Sequence, residues 1–251
     1  MFRRRLKQGW SDAPFRARGT ESTRIEGFSD GVFALAVTFL VLSSSVPETY
    51  AELLASLADL PAFAICITLL IRLWYAHFRF FDRFGLRDPT IVVMNTVLMF
   101  LILFYVYPLK FLFRLVVEIT RSSVTATGLS WDYLFNTVLS GTDGTGLMMI
   151  FGAGLSAIFV TFMAMHVHVL ALRAELELSD AEVSEVRAIL WGYAVRLCVP
   201  ALSIGAASLI SPGTQGFLLS GMIYLLLIPM GIIGRRLRKR RLARPQPAVD
   251  A

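Results

Sequence analysis

Cysteine is nearly missing from this chain: Cys66 and Cys198 are the only two among 251 residues. Each stands inside an apolar stretch, which excludes a disulfide framework and a cysteine-based zinc site and predicts two small buried packing residues. Charge is scarce as well. Asp, Glu, Lys and Arg make up 17% of the residues, where a soluble domain carries about 25%. Histidine occurs three times, at positions 77, 166 and 168. His166 and His168 are two apart, hence on different faces of a helix, so they share no metal. The His-Glu-x-x-His and nucleophile-elbow motifs of hydrolases are absent, and no other catalytic constellation stands in for them. The chain is therefore not expected to be an enzyme, to carry a cofactor or to take a small-molecule substrate.

What is present is mostly apolar. The chain is 56% hydrophobic, with a mean hydropathy of +0.65, and its apolar runs reach the ~20 residues that cross a bilayer as a helix. An all-α integral membrane protein with six spans follows: residues 24–46, 53–81, 90–117, 146–172, 188–210 and 216–234. The net charge of +6 and the pI near 9.7 do not indicate nucleic acid, because the basic residues crowd the ends of the apolar segments. Seven stand at or before Arg24 and seven follow Gly234, while Arg79, Arg83 and Arg87 close the second span. The connections 43–52 and 211–215 carry none. The positive-inside rule then puts both termini in the cytoplasm. Three parts are expected: a loosely ordered basic segment over 1–23, a membrane domain over 24–234 and a basic tail over 235–251. The length of the basic region and of the first apolar run argues against a cleaved signal peptide.

The first span, RIEGFSDGVFALAVTFLVL from Arg24 to Leu42, holds an ionisable residue, Asp30, where such groups are expensive. At 100° per residue, Phe28, Gly31, Leu35, Thr38, Phe39 and Leu42 share one stripe, and Asp30 falls roughly opposite. The acid and the apolar row therefore meet different neighbours. From the residues alone, Thr38 bonding back to its own helix, within a stripe facing lipid or core, accounts for this pattern.

The pattern Arg24-x3-Phe28-Ser29-Asp30-Gly31-Val32-Phe33-Ala34, followed by the apolar run to Leu42, resembles the bacterial transmembrane-protein-175 potassium channel family. The resemblance implies a homotetramer in a prokaryotic plasma membrane, with identical subunits and the bilayer as its partners and the first helix of each subunit lining a central pore. It implies a constriction at Leu35, Thr38, Phe39 and Leu42, with permeant potassium near Thr38 and no fixed transition-metal site. Position 39 departs from the family, which usually has leucine there. Selectivity over sodium is expected to be moderate, because a hydrophobic constriction is less discriminating than a cage of carbonyls.

Asp30, His77 near the end of the second span and Asn95 one turn into the third fall at one depth. A buried hydrogen-bond network follows, with Arg24 as counter-charge and Trp74 on the His77 face. The resemblance likewise ties the Arg and Phe-Ser-Asp motif to a Trp and a His on the second helix. The alternative is a proton-conducting or proton-coupled transporter using Asp30 and His77. Other features weigh less. The Gly141–Gly146 stretch lacks the order of a potassium filter or phosphate loop and is expected to be a flexible connection. Arg72, Arg79 and Arg83 do not repeat over enough length for a voltage sensor. Gly152 and Ser156 have the spacing of a close helix contact. The basic tail suits anionic lipid as well as orientation.

Overall fold

The structure, a computed structural model, describes residues 16, 18, 19, 23–42, 47–125, 143–209, 214–227, 229–231, 233, 234 and 236. These are almost wholly helical. In chain order the helices are α1 (Arg24–Leu42), α2 (Tyr50–Ala58), α3 (Leu60–Phe84), α4 (Pro89–Thr125), α5 (Asp143–Ala171), α6 (Asp180–Leu209) and α7 (Thr214–Ile223). A 3-10 turn, Tyr224–Leu226, follows α7.

Four of them are long and apolar enough to cross a membrane, over Leu60–Phe84, Pro89–Leu115, Gly144–Ala171 and Asp180–Leu209. The expected second span is divided. Asp59 closes α2 through its backbone N–H and opens α3, where Pro61 sits in the first turn. Pro61 has no N–H to continue the α2 ladder but suits a helix start. Gly85, at φ 58°, ends α3 in the left-handed conformation that glycine adopts without strain. The third span is longer than its apolar run. It begins after Asp88, which accepts a bond from Ile91 N at 3.3 Å, and continues through Pro108. The fifth span, α6, starts earlier than expected, because Ser179 and Glu182 form a capping box: Ser179 N to Glu182 Oε2 at 2.9 Å and Glu182 N to Ser179 Oγ at 3.3 Å. The stretch Asp180–Arg187 is thus the polar beginning of α6. Asp143–Gly146 is likewise the first turn of α5 and not a flexible connection, while Gly141 and Thr142 lie outside the described residues.

Packing divides the chain into two groups. In the first, α1 lies on α3 and α4; in the second, α5, α6 and α7 pack together, with α4 against α5 joining the two. At that seam a Cβ on Gly154 would stand 2.5 Å from the Tyr105 ring, and between α5 and α6 one on Gly152 would stand 2.8 Å from Ile204. Gly152 and Gly154 let α4, α5 and α6 approach closely. Cys66 is buried as expected, but Cys198 is exposed on α6.

Candidate functional site

Polar groups anchor both ends of α1. Thr23 and Glu26 form a capping box, with Thr23 N donating to Glu26 Oε1 at 3.1 Å and Glu26 N to Thr23 Oγ1 at 3.2 Å. This Thr-x-x-Glu signal was legible in the sequence and sets where the helix begins. At the far end, Lys110 Nζ donates to the Leu40 carbonyl at 2.9 Å, meeting one of the acceptors a helix C-terminus leaves open. Lys110 belongs to α4.

Between these anchors the helix is two-faced. Ser29, Val32, Phe33, Ala36 and Leu40 are buried against α3 and α4. Arg24, Gly27, Phe28, Asp30, Gly31, Ala34, Leu35, Thr38 and Val41 are exposed, with Phe28 at 63% and Leu35 at 43%. The outward arc is centred between the Leu35 stripe and Asp30, so the acid lies at its border and not behind it. Phe39 is half-buried at the other border, its ring 6.4 Å from that of Tyr107. Leu42 ends the helix, and its side chain lies outside the described residues. Thr38 Oγ1 donates to Ala34 O at 2.9 Å. The hydroxyl proton is thereby used within the helix, and the oxygen lone pairs stay available on the exposed side.

The expected polar network exists in altered form. His77 Nε2 donates to Asn95 Oδ1 at 2.8 Å, Asn95 Nδ2 donates to Ser29 Oγ at 2.9 Å, and Ser29 Oγ donates to Ile25 O at 2.8 Å. All three side chains are buried. Asp30 is not part of this chain. It accepts a 2.7 Å bond from Trp74 Nε1, while Trp74 stacks on Phe78 at 5.8 Å. Arg24 is exposed and makes no ion pair with Asp30 among the described residues, because six positions along a helix separate the two by about 120°. Ser29 of the motif is the link to α1: its neighbour Asp30 carries the charge, but Ser29 faces the interior of the chain.

The remaining histidines serve structure. His166 is buried with Nδ1 on Phe162 O at 2.7 Å, and His168 Nε2 donates to Asp88 Oδ2 at 2.8 Å. No cluster of three metal-binding side chains occurs among the described residues.

A model of the family described as endosomal/lysosomal potassium channel TMEM175 matches residues 24–105, the stretch that holds α1, α3 and all of this network. The chain is similar to a potassium channel of Marivirga tractuosa, at 39% identity over 233 residues, covering 90% of this chain and 92% of that protein. A potassium channel of Chamaesiphon minutus is 33% identical over 97 residues, 36% of this chain and 48% of its own. Among solved structures, a variant of the potassium channel MtTMEM175 bound to a Nanobody-MBP fusion protein superposes with a TM-score of 0.79 at 36% identity, covering 92% of this chain and 99% of that one. A lysosomal potassium-selective channel TMEM175 homologue from Chamaesiphon minutus shares the fold, with a TM-score of 0.55 at 21% identity over 84% of this chain and 96% of its own.

Proposed function

The chain belongs to the TMEM175 family of potassium channels, and on that premise we propose that four copies of it surround a pore lined by α1. The protein is a potassium channel and not an enzyme; potassium is its permeant ion and it needs no cofactor. One observation carries the proposal about the pore. Helix α1 buries Val32, Phe33, Ala36 and Leu40 in its own subunit and turns Leu35 and Thr38 outward, between anchors at both ends.

In this reading Leu35, Thr38, Phe39 and Leu42 form the constriction, Phe39 contributing from the edge because its ring leans on Tyr107. At 1.5 Å per residue the narrow zone is about 10 Å long. An apolar ring gates by dewetting and penalises ions that keep their water tightly. Potassium gives up water more readily than sodium, and the outward lone pairs of Thr38 replace part of that shell. The preference is moderate, because a hydroxyl ring supplies fewer oxygens than a carbonyl cage. Ser29, Asp30, Trp74, His77 and Asn95 hold α1 in place, while Arg24 and Phe28 of the motif stand exposed.

Each subunit contributes six spans: α1, α3, α4, α5, α6 and α7 with its continuation. Residues 24–234 form the channel domain, with the basic segments 1–23 and 235–251 in the cytoplasm of a prokaryote and the spans in its plasma membrane. Proton conduction through Asp30 and His77 has less support. The hydrogen-bond chain from His77 runs in one direction through an amide and stops on a backbone carbonyl, and neither group passes a proton onward.

Reversal potentials under potassium and sodium gradients test the pore assignment, with native mass spectrometry giving the subunit count. Leu35→Ala and Thr38→Ala are expected to reduce selectivity or change conductance. Unchanged permeation in both, with transport abolished by Asp30→Asn, would sink it.

A further inference from the structure

Just before α1 the chain makes a contact that conduction through α1 does not by itself require. Arg18 reaches the turn between α5 and α6, and all five guanidinium N–H donors find partners, four of them at that turn and its capping Glu182 and one on Arg16 O. Nη1 lies 2.8 Å from Glu182 Oε1 and 3.1 Å from Arg16 O, and Nη2 lies 3.1 Å from Glu182 Oε2 and 3.3 Å from Glu177 O. Nε donates to Leu176 O at 3.0 Å. The carboxylate is equally engaged. Glu182 also accepts from Arg16 N at 3.0 Å and from Ser179 N at 2.9 Å and Ser179 Oγ at 3.1 Å.

This is not an ordinary surface pair. The Glu182 side chain is 4% exposed and that of Arg18 16%, and a bidentate pair with every remaining donor used resists loss of either partner. The backbone around it is fitted as closely. Glu177 is held at φ 47°, a left-handed conformation uncommon for a residue with a side chain, and Arg18 binds its carbonyl.

The same segment is pinned a second time. Gly19 N donates to Asp82 O at 3.1 Å, at the end of α3. A Cβ on Gly19 would meet Phe81 O at 2.6 Å, and a Cβ on Gly85 would stand 3.0 Å from Arg18 O. Three pieces of chain therefore meet at one joint: the segment before α1, the α3–α4 turn and the α5–α6 turn. Only residues 20–22 separate Gly19 from Thr23, where the α1 cap begins. Four Cα steps reach at most about 14 Å, so the start of α1 is tethered to the joint within that distance.

Helix α1 packs on α3 and α4, whereas α5, α6 and α7 form the other group. We propose that the Arg18–Glu182 clasp is a positioning device that couples the entry end of α1 to the α5–α6 group, so that it sets how often the pathway is open without touching the ion. This rests on the reading that α1 lines the pore. Movement of α5 and α6 reaches α1 through the clasp, and the constriction side chains Leu35 and Thr38 keep their chemistry.

The test is single-channel recording of the full chain in planar bilayers, with assembly checked by native mass spectrometry. Arg18→Gln and Glu182→Gln are each expected to shift open probability in the same direction by about five-fold or more, the lower end of ordinary coupling energies. The double variant is expected to shift it no further, and unitary conductance and reversal potential stay at their original values. Should Glu182→Gln fail to assemble, Arg18→Lys gives the same readout, since it keeps the charge but cannot span both carboxylate oxygens and the Leu176 carbonyl. An assembled, less heat-stable channel with unchanged open probability makes the clasp merely structural and overturns the coupling. Additive single effects, or a moved reversal potential, overturn it too. Leu35→Ala and Thr38→Ala without effect on permeation, beside a responsive Arg18→Gln, retire the pore assignment and leave the clasp as a gating element.

Discussion

Asn95 lies where three helices meet: its amide accepts from His77 on α3 and donates to Ser29 on α1, and it is 3% exposed. Replacing it with Leu strands the His77 N–H and removes the donor to Ser29 at a place where water cannot substitute. A buried polar group left without its partner costs about 1–3 kcal/mol, and bonds between membrane helices tend to the lower part of that range. Asn95→Leu is therefore expected to lower the unfolding midpoint in detergent. Thr38→Ala removes a hydroxyl bonded, among the described residues, to Ala34 of its own helix on an exposed face, so its stability change is expected to stay within about 0.5 kcal/mol. The two residues separate the support of α1 from its surface. An Asn95→Leu channel as stable as the original would mean that this hydrogen-bond chain carries no weight. Much of this was legible in the sequence, because Asp30, His77 and Asn95 fall at one depth on three spans. The partner choice was not: a helical wheel places Ser29 and Asp30 100° apart but does not say which one meets Asn95 and which meets Trp74.

At the scale of elements, hydropathy located α3, α4, α5 and α6 to within several residues, since only a long apolar helix satisfies its backbone in lipid. It missed the break at Asp59 because the apolar run continues through Ala58, Leu60 and Pro61, and the break is made by one absent N–H. It also missed the early start of α6, because Asp180–Arg187 is polar and the helix there is set by the Ser179–Glu182 capping box. Partners of Glu182 were invisible for another reason: Arg18 is 164 positions away, and a Glu in a capping box already has a local explanation. Helix contacts yield a sharper expectation. Tyr105 is 5% exposed and its hydroxyl donates to Phe151 O at 3.1 Å, so its ring cannot retreat from a Cβ placed 2.5 Å away on Gly154. Gly154→Ala is expected to destabilise the α4–α5 seam by about 1–3 kcal/mol, the usual cost of overpacking. Gly31, with nothing within 4 Å of its Cβ position in the subunit, is the internal comparison. Gly31→Ala should leave subunit stability unchanged, and equal losses in the two variants would show that crowding at Tyr105 is not the cause.

On the scale of the whole molecule, the α1, α3, α4 group and the α5, α6, α7 group are joined by packing along α4 and α5 and by polar ties at the ends of α3 and α5. The clasp at Glu182 is one such tie; the pair Asp88–His168 is another, joining the cap of α4 to the last turn of α5 at 2.8 Å. Burial alone would raise the Asp88 carboxyl, but the hydrogen bond from His168 and the backbone bond from Ile91 outweigh it and hold it below its ordinary value of 3.8. A carboxyl lowered by folding binds its proton less readily in the native state than in the unfolded one. Its contribution is then fully present above the unfolded value and is lost as the pH falls through the folded one. The expected signature is a gap in melting temperature between the original protein and Asp88→Asn that holds at about pH 6 and closes towards about pH 3. The variant keeps an oxygen to cap α4, so the difference isolates the charge. Because this tie bridges the two groups, its loss should also make their unfolding less concerted, broadening the transition at low pH. A gap that widens on acidification would reverse the sign of the coupling and place the charged form of Asp88 among the destabilising groups of the native state.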